Sequence, residues 1–137
     1  MNFIKKYFLV KEIKSKTGVL HFRRWSLLST PWFHLYIHGI YKSDEEAHLH
    51  DHPWDYWSIC LKGRFIEKRK TGFSYVPKFK LIKRRAEEFH CIYQLLTKTV
   101  FTLFLTFKKK KDWGYDVNGK WIDHITYRRL KNSGKIC

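Results

Sequence analysis

The sequence predicts an all-β domain, a sandwich or small barrel, and three observations carry that prediction. Apolar residues recur with the two-residue period of strands over most of the chain. Aromatic and β-branched residues, which suit a pleated half-buried surface, crowd those same stretches. Turn signals recur between them at short intervals: Thr30-Pro31, Ser43-Asp44-Glu45-Glu46, Lys62-Gly63, Thr71-Gly72 and Asn118-Gly119. Seven or more short strands in 137 residues point to a sandwich or small barrel. A single domain over 1–137 is expected, burying about two-thirds of the surface its unfolded chain exposes.

In chain order, Asn2 to Lys14 reads as a weak strand or helix. The expected strands are Leu20–Ser29, Phe33–Tyr41, Trp54–Lys70, Phe73–Ile82, Phe89–Leu96, Val100–Lys108 and Lys120–Tyr127, with one helical turn at Asp44–Ala47. Asn118-Gly119, between Tyr115-Asp-Val and Lys120-Trp-Ile, is the clearest hairpin signal, because both residues tolerate positive φ. Alternation in 75–81 places Lys78 and Lys80 on a solvated face and Tyr75, Pro77, Phe79 and Leu81 on an apolar one. The Lys108–Lys111 run reads as solvated charge beyond a strand end.

Composition narrows the partners. Cys60, Cys91 and Cys137 are scattered without CxxC spacing, which argues for a reducing, cytoplasmic setting and against a disulfide framework. The longest apolar run, Val100 to Phe107, is too short to span a membrane, and no partnership with a membrane is expected. The formal net charge is +16, which brings nucleic acid into consideration. Twenty of the 28 cationic residues are lysines spread along the whole chain, and lysine lacks the bidentate fork that reads phosphate specifically, so a nucleic-acid partner is not favoured.

The chemistry concentrates at 48–57, His-Leu-His-Asp-His-Pro-Trp-Asp-Tyr-Trp. On an extended chain His48, His50 and His52 leave the same face and converge, as ligands of one divalent transition metal must. A further ligand must come from a distant strand. His90, opening the apolar stretch 89–96, is the best candidate; His21, His34, His38 and His124 are alternatives. Trp54, Tyr56, Ser58 and Cys60 share parity with the histidines and are expected to line the interior beyond the metal, whereas Trp57, Ile59 and Leu61 point outward, where a strand or a second subunit of a homodimer covers them. Arg24 and Arg85 are candidates to clamp a carboxylate or phosphate of a small substrate.

His50-x-His52, the glycine at 63 and the distant His90 together resemble the two sequence motifs of the cupin superfamily. That resemblance implies a jelly-roll barrel with short helical turns and a metal held by His50, His52 and His90. His48 is then a fourth ligand or a hydrogen-bond donor to the others. The family's glutamate falls on Tyr56, which implies a three-histidine site with Asp55 or Tyr56 contributing, and Tyr56 is the candidate catalytic residue. A finer similarity is to small cupin-like proteins of bacteriophages, through Phe22-Arg-Arg-Trp, Thr30-Pro-Trp, His50-Asp-His-Pro-Trp and Asp112-Trp-Gly-Tyr, over about 20–128. It implies a viral protein of the host cytoplasm. The expected function is metal-dependent chemistry on a small, anionic substrate: Fe(II) dioxygenation first, with Zn, Mn or Ni as other metals. A metal-dependent isomerase or hydrolase, and a basic binding module with a structural ion, are the rivals.

Overall fold

The computed structural model describes residues 9–44 and 48–135. Eleven strands and one helix follow in order among these residues: β1 (Leu9–Lys14), β2 (Leu20–Ser29), β3 (His34–Ile40), β4 (Tyr56–Lys62), β5 (Phe65–Arg69), β6 (Gly72–Val76), β7 (Leu81–Arg84), β8 (His90–Leu95), β9 (Val100–Thr106), β10 (Gly114–Val117), β11 (Lys120–Asp123) and α1 (His124–Asn132). One antiparallel sheet has the order β1-β2-β3-β9-β4-β7. A second layer is built from β6-β5-β8 and β10-β11, joined through His50, which bridges His90 on one side and Tyr115 on the other. The chain is an all-β jelly roll, as expected.

The ends of the roll differ in chemistry. Ile40, Cys60, Phe65, Val76, Ile82 and Val100 form a buried apolar plug at one end, with Phe22, Ile92 and Leu95 packed on it. At the other end the inward positions of the same strands carry Arg24, Tyr36, His38, Tyr56, Glu67, His90 and Thr106. Hydrophobic burial of about 1.5–3 kcal/mol per large side chain at the plug therefore supports a polar interior a few residues along each strand. A second cluster, Tyr115, Val117 and Tyr127, seats α1 on β10 and β11.

Four sequence expectations need correction. Trp54–Lys70 is two strands, broken at Gly63, whose φ of 81° lies in the left-handed region. Phe73–Ile82 is also two, because Pro77 lacks an N–H and Phe79 adopts φ 68°, its N–H donating to the Cys60 carbonyl. Val76 and Ile82 are buried while Tyr75, Phe79 and Leu81 are exposed, the reverse of the expected facing: even positions face inward on both strands, and Lys78 and Lys80 lie exposed in the connection between them. Lys120–Tyr127 is strand only to Asp123, whose carboxylate accepts from the Ile125 and Thr126 N–H groups and starts a helix with Arg129 and Lys131 in its last turn. The expected helical turn at Asp44–Ala47 lies largely outside the described residues, as does the chain before Leu9, while Leu9–Lys14 is a strand. The Asn118-Gly119 hairpin forms as expected, with φ of 54° and 84° between Val117 and Lys120.

The motif glycine has a steric reason. A Cβ at Gly63 would sit 2.4 Å from the Thr99 carbonyl oxygen and 2.5 Å from Thr97 Oγ1, on a backbone that disfavours L residues. Gly63→Ala is expected to destabilise the fold by about 2–4 kcal/mol, read as a lowered denaturant midpoint in equilibrium unfolding. A midpoint equal to the parent's would show that the β4–β5 turn relaxes freely.

Candidate metal centre

The histidine segment is fixed by its backbone. The N–H and carbonyl of His50 exchange hydrogen bonds with His90 at 3.0 and 2.9 Å, and the His52 N–H donates to the Ala86 carbonyl. On the opposite side the Asp51 N–H donates to the Gly114 carbonyl and the Leu49 carbonyl accepts from Asp116. Residues 49–52 thus run as an extra strand between β8 and β10, and their alternation sends His50 and His52 inward. Asp51 goes the other way and is 1% exposed. Its carboxylate accepts from the Gly114 N–H at 2.7 Å, from Trp121 Nε1 at 3.0 Å and from the Lys111 ammonium. Lys111 is therefore a structural partner of Asp51 and not merely solvated charge; Lys110 likewise pairs with Asp55 and Glu87.

The candidate ligand nitrogens of His50, His52 and His90 all lie within 4.8 Å of one another. His90 Nε2 faces His52 Nε2 at 3.3 Å. Two nitrogens each about 2.1 Å from one ion, at angles between octahedral and tetrahedral, stand about 3.0–3.4 Å apart, so this spacing suits a shared cation. Burial, followed by the neighbouring His90, holds His50 and His52 well below the usual histidine pKa, so both rings are neutral and keep a lone pair for coordination. His52 Nδ1 is buried with no hydrogen-bond partner among the described residues, which leaves Nε2 as the side on which this ring makes its polar contact.

Glu67 completes the arrangement, and sequence reasoning missed it. It is 2% exposed on β5, with Oε1 2.8 Å from His90 Nδ1 and Oε2 3.1 Å from an Arg84 guanidinium nitrogen. Burial raises its pKa, but the His90 hydrogen bond and the Arg84 charge outweigh that and leave it below the usual carboxylate value. An ionised carboxylate only accepts, so Nδ1 of His90 carries the proton and Nε2 is free to bind a metal. The signal was present in Phe65-Ile-Glu-Lys-Arg, an acid in an otherwise apolar and basic strand. Reading 54–70 as one strand gave Glu67 the outward parity opposite to Tyr56; the break at Gly63 turns it inward.

The other expected residues divide. Tyr56 lies with its ring 4.6 Å from His52, 6.0 Å from His90 and stacked 4.5 Å from Phe104, and burial pushes its phenol pKa far up. Trp54 stacks on His52 at 5.3 Å. Arg24 sits over Tyr36 at 4.9 Å and within 6.0 Å of Trp54, its Nε donating to His38 Nε2 at 3.0 Å. No carboxylate pairs with Arg24 among the described residues, and burial lowers its pKa. His48 is not brought to the cluster: its ring hydrogen-bonds the Tyr127 hydroxyl at 2.9 Å, because the chain turns between His48 and the laced strand. Arg85 is likewise apart, exposed beside a surface groove with Asp55, Trp57 and Lys83, since the turn after β7 carries it outward. Trp57 is 42% exposed on the outer face as expected, against Phe107 and Lys83. Of the alternative histidines, His34 bonds Ser29, His38 bonds Arg24 and stacks on Phe104, and His124 pairs with Asp112.

No family model matches the sequence, and no curated protein matches it. Solved structures do. A cupin-2 domain protein, Rru_A2000 from Rhodospirillum rubrum, superposes with a TM-score of 0.62 over 90% of this chain and 82% of its own, at 13% identity. The fold is that of the cupins. Fe(II) HppE matches with a TM-score of 0.58 at 13% identity, over 71% of this chain and 56% of HppE, so the chain spans little more than half of that protein. The conserved protein SPY1581 from Streptococcus pyogenes matches at 0.52 and 17% identity, over 66% and 76% of the two chains. Identities this low speak for the fold and leave the chemistry to the residues.

Removing the Glu67 charge while keeping its shape isolates its influence on His90. Glu67→Gln is expected to lower affinity for added Zn(II) or Fe(II) about ten- to hundredfold, measured by competition with a chromogenic chelator; unchanged affinity would show that Glu67 has no hold on the site. A separate expectation concerns acid. His38 is buried, and desolvation, then Arg24 and Lys11, hold its folded pKa well below 6.5. The unfolded chain therefore takes up the proton first, and stability present above about pH 6.5 is lost as pH falls toward the folded value. Unfolding midpoints of His38→Gln are expected to fall less steeply between pH 6.5 and 5 than those of the parent, and parallel curves would exclude His38 as a source.

Proposed function

We propose that the protein is a metal-dependent enzyme acting on a small anionic molecule, with dioxygenation at a ferrous centre as the favoured chemistry. The observation that carries the reading is the triangle of His50, His52 and His90, with His50 and His52 neutral by burial and His90 backed by Glu67. A divalent ion held by three neutral imidazoles keeps its full charge and has coordination positions open for substrate or oxygen. The iron of Fe(II) HppE, on the same fold, supports Fe(II) ahead of Zn, Mn or Ni. The same undiminished charge favours Lewis-acid isomerase or hydrolase chemistry as the second reading.

The chain's own groups have separable tasks in this proposal. Arg24, caged by Phe22, Tyr36 and Trp54 and lacking a carboxylate among the described residues, orients the anionic group of the substrate. Lys11, the Cα partner of Arg24, adds to a cationic mouth; although exposed as a whole it has its pKa lowered by burial, then by Arg24 and Arg128. Trp54 and Tyr56, packed against His52, exclude water from the ligand side. The Tyr56 phenol, kept protonated by burial, is the candidate catalytic group, acting as a hydrogen-bond donor that keeps its proton.

The test measures metal content and oxygen uptake on the same untagged samples. His50→Ala and His90→Ala are each expected to retain at least about tenfold less metal than the parent, while His34→Ala retains it. Oxygen uptake is expected from the ferrous protein only when a small anionic substrate is present, found by screening small carboxylates and phosphates, and Arg24→Ala is expected to raise the concentration needed without lowering metal content. Equal metal in all three histidine variants would remove the proposed centre. Native zinc or nickel with no oxygen uptake would replace dioxygenation with the second reading.

A further inference from the structure

Next to the histidine triangle, and sharing Trp54 with it, a groove of about 380 Å³ opens between the start of β3 and the segment after β9. Its walls are mostly rings: Trp32, His34, Tyr36, Trp54 and Phe107. Trp32 is 73% exposed, an unusual position for a large aromatic unless something stacks on it. The rim carries Lys108 and Lys109, and none of the described lining residues is acidic. Their neighbours Lys110 and Lys111 are engaged by Asp55, Glu87 and Asp51, whereas Lys108 and Lys109 form no ion pair among the described residues. The Arg24 guanidinium, which has no carboxylate partner among the described residues, lies over two of the groove's own rings, Tyr36 and Trp54.

Rings on the walls and unpaired cations at the rim are what a planar heterocycle bearing an anionic group requires. Aromatic side chains stack on any nucleobase through its π face, and ammonium groups take phosphate as point charges. A groove of this size holds a single nucleotide unit more readily than a strand, and one of its lining residues, Trp54, stacks on His52. We propose that this groove binds a nucleoside phosphate, with the base among Trp32, Tyr36 and Trp54 and the phosphate attracted by Lys108 and Lys109 together with Arg24. The inference rests on the proposed metal-dependent reading in one respect: it names the substrate class delivered to that centre.

Calorimetric titration tests it with four probes: a nucleoside monophosphate, the matching nucleoside, ribose 5-phosphate, and a six-residue single-stranded oligonucleotide. The monophosphate is expected to bind at least about tenfold more tightly than the nucleoside or the sugar phosphate, since each lacks one half of the recognition. Trp32→Ala, and separately Lys108→Glu with Lys109→Glu, are each expected to weaken it about tenfold with metal content unchanged. Ribose 5-phosphate binding as well as the nucleotide, or indifference to both variants, would overturn the proposal. So would an oligonucleotide binding more than about tenfold tighter than the monomer, which would make the groove a strand-binding surface. Metal content read on the same samples separates this inference from the one beneath it. Metal-loaded protein that ignores nucleotides defeats the groove alone, while nucleotide binding by protein that never takes metal keeps the groove and removes the centre.

Discussion

The arrangement depends on the buried carboxylate of Asp51. It sits between His50 and His52, and on an extended chain it must face away from both. Held by the Gly114 N–H, Trp121 and Lys111, it fixes which side of the laced strand faces the interior. A buried carboxylate without partners would be costly, so the three donors and the acceptor specify one another. Because the same strand bridges β8 and β10, its register also decides whether the second layer is continuous. Metal-site geometry and sheet closure are therefore set by the same few residues.

The polar end is tolerable because the apolar end is well filled. Val100, Val76 and Cys60 leave almost no exposed surface at the plug. Along the same strands the interior changes from aliphatic groups to imidazoles, phenol and guanidinium. Charges placed there are either matched, as Glu67 is by Arg84, or left to face the mouth, as Arg24 is. The unmatched ones lie toward the groove, and the matched ones lie behind the ligands. That division separates groups that orient the histidines from groups available to a ligand.

Much of this was legible in the residues because period-two alternation and turn chemistry are local. The Asn118-Gly119 hairpin, strands β2, β3, β8 and β9, and the inward parity of Tyr56 and Cys60 followed from neighbours alone. So did the convergence of His50 and His52, and the jelly roll followed from their resemblance to the cupins. What was not legible depended on parity resets and on distant partners. Gly63 and Pro77-Lys78-Phe79 interrupt runs that look continuous, and across Gly63 inside and outside exchange, which is why Glu67 was lost. Tyr75, Phe79 and Leu81 were turned the wrong way because Lys78 and Lys80, exposed in the connection between two strands, looked like the outer face of one. His48 satisfies the alternation but finds Tyr127 on a helix that the apolar pattern of 120–127 had disguised as a strand. Arg85 lay next to aromatic strands in sequence, and only the turn after β7 showed that it leaves the interior.

The central claim is that three imidazoles, set in place by the laced strand and by Glu67, bind one divalent ion. X-ray absorption spectroscopy on the metal-loaded protein tests it most directly, since it counts ligands and measures their distances without reference to any substrate. The account predicts a first shell of nitrogen and oxygen at about 2.0–2.2 Å with outer-shell scattering from three imidazole rings. Scattering from sulfur, or from one imidazole or none, would contradict it.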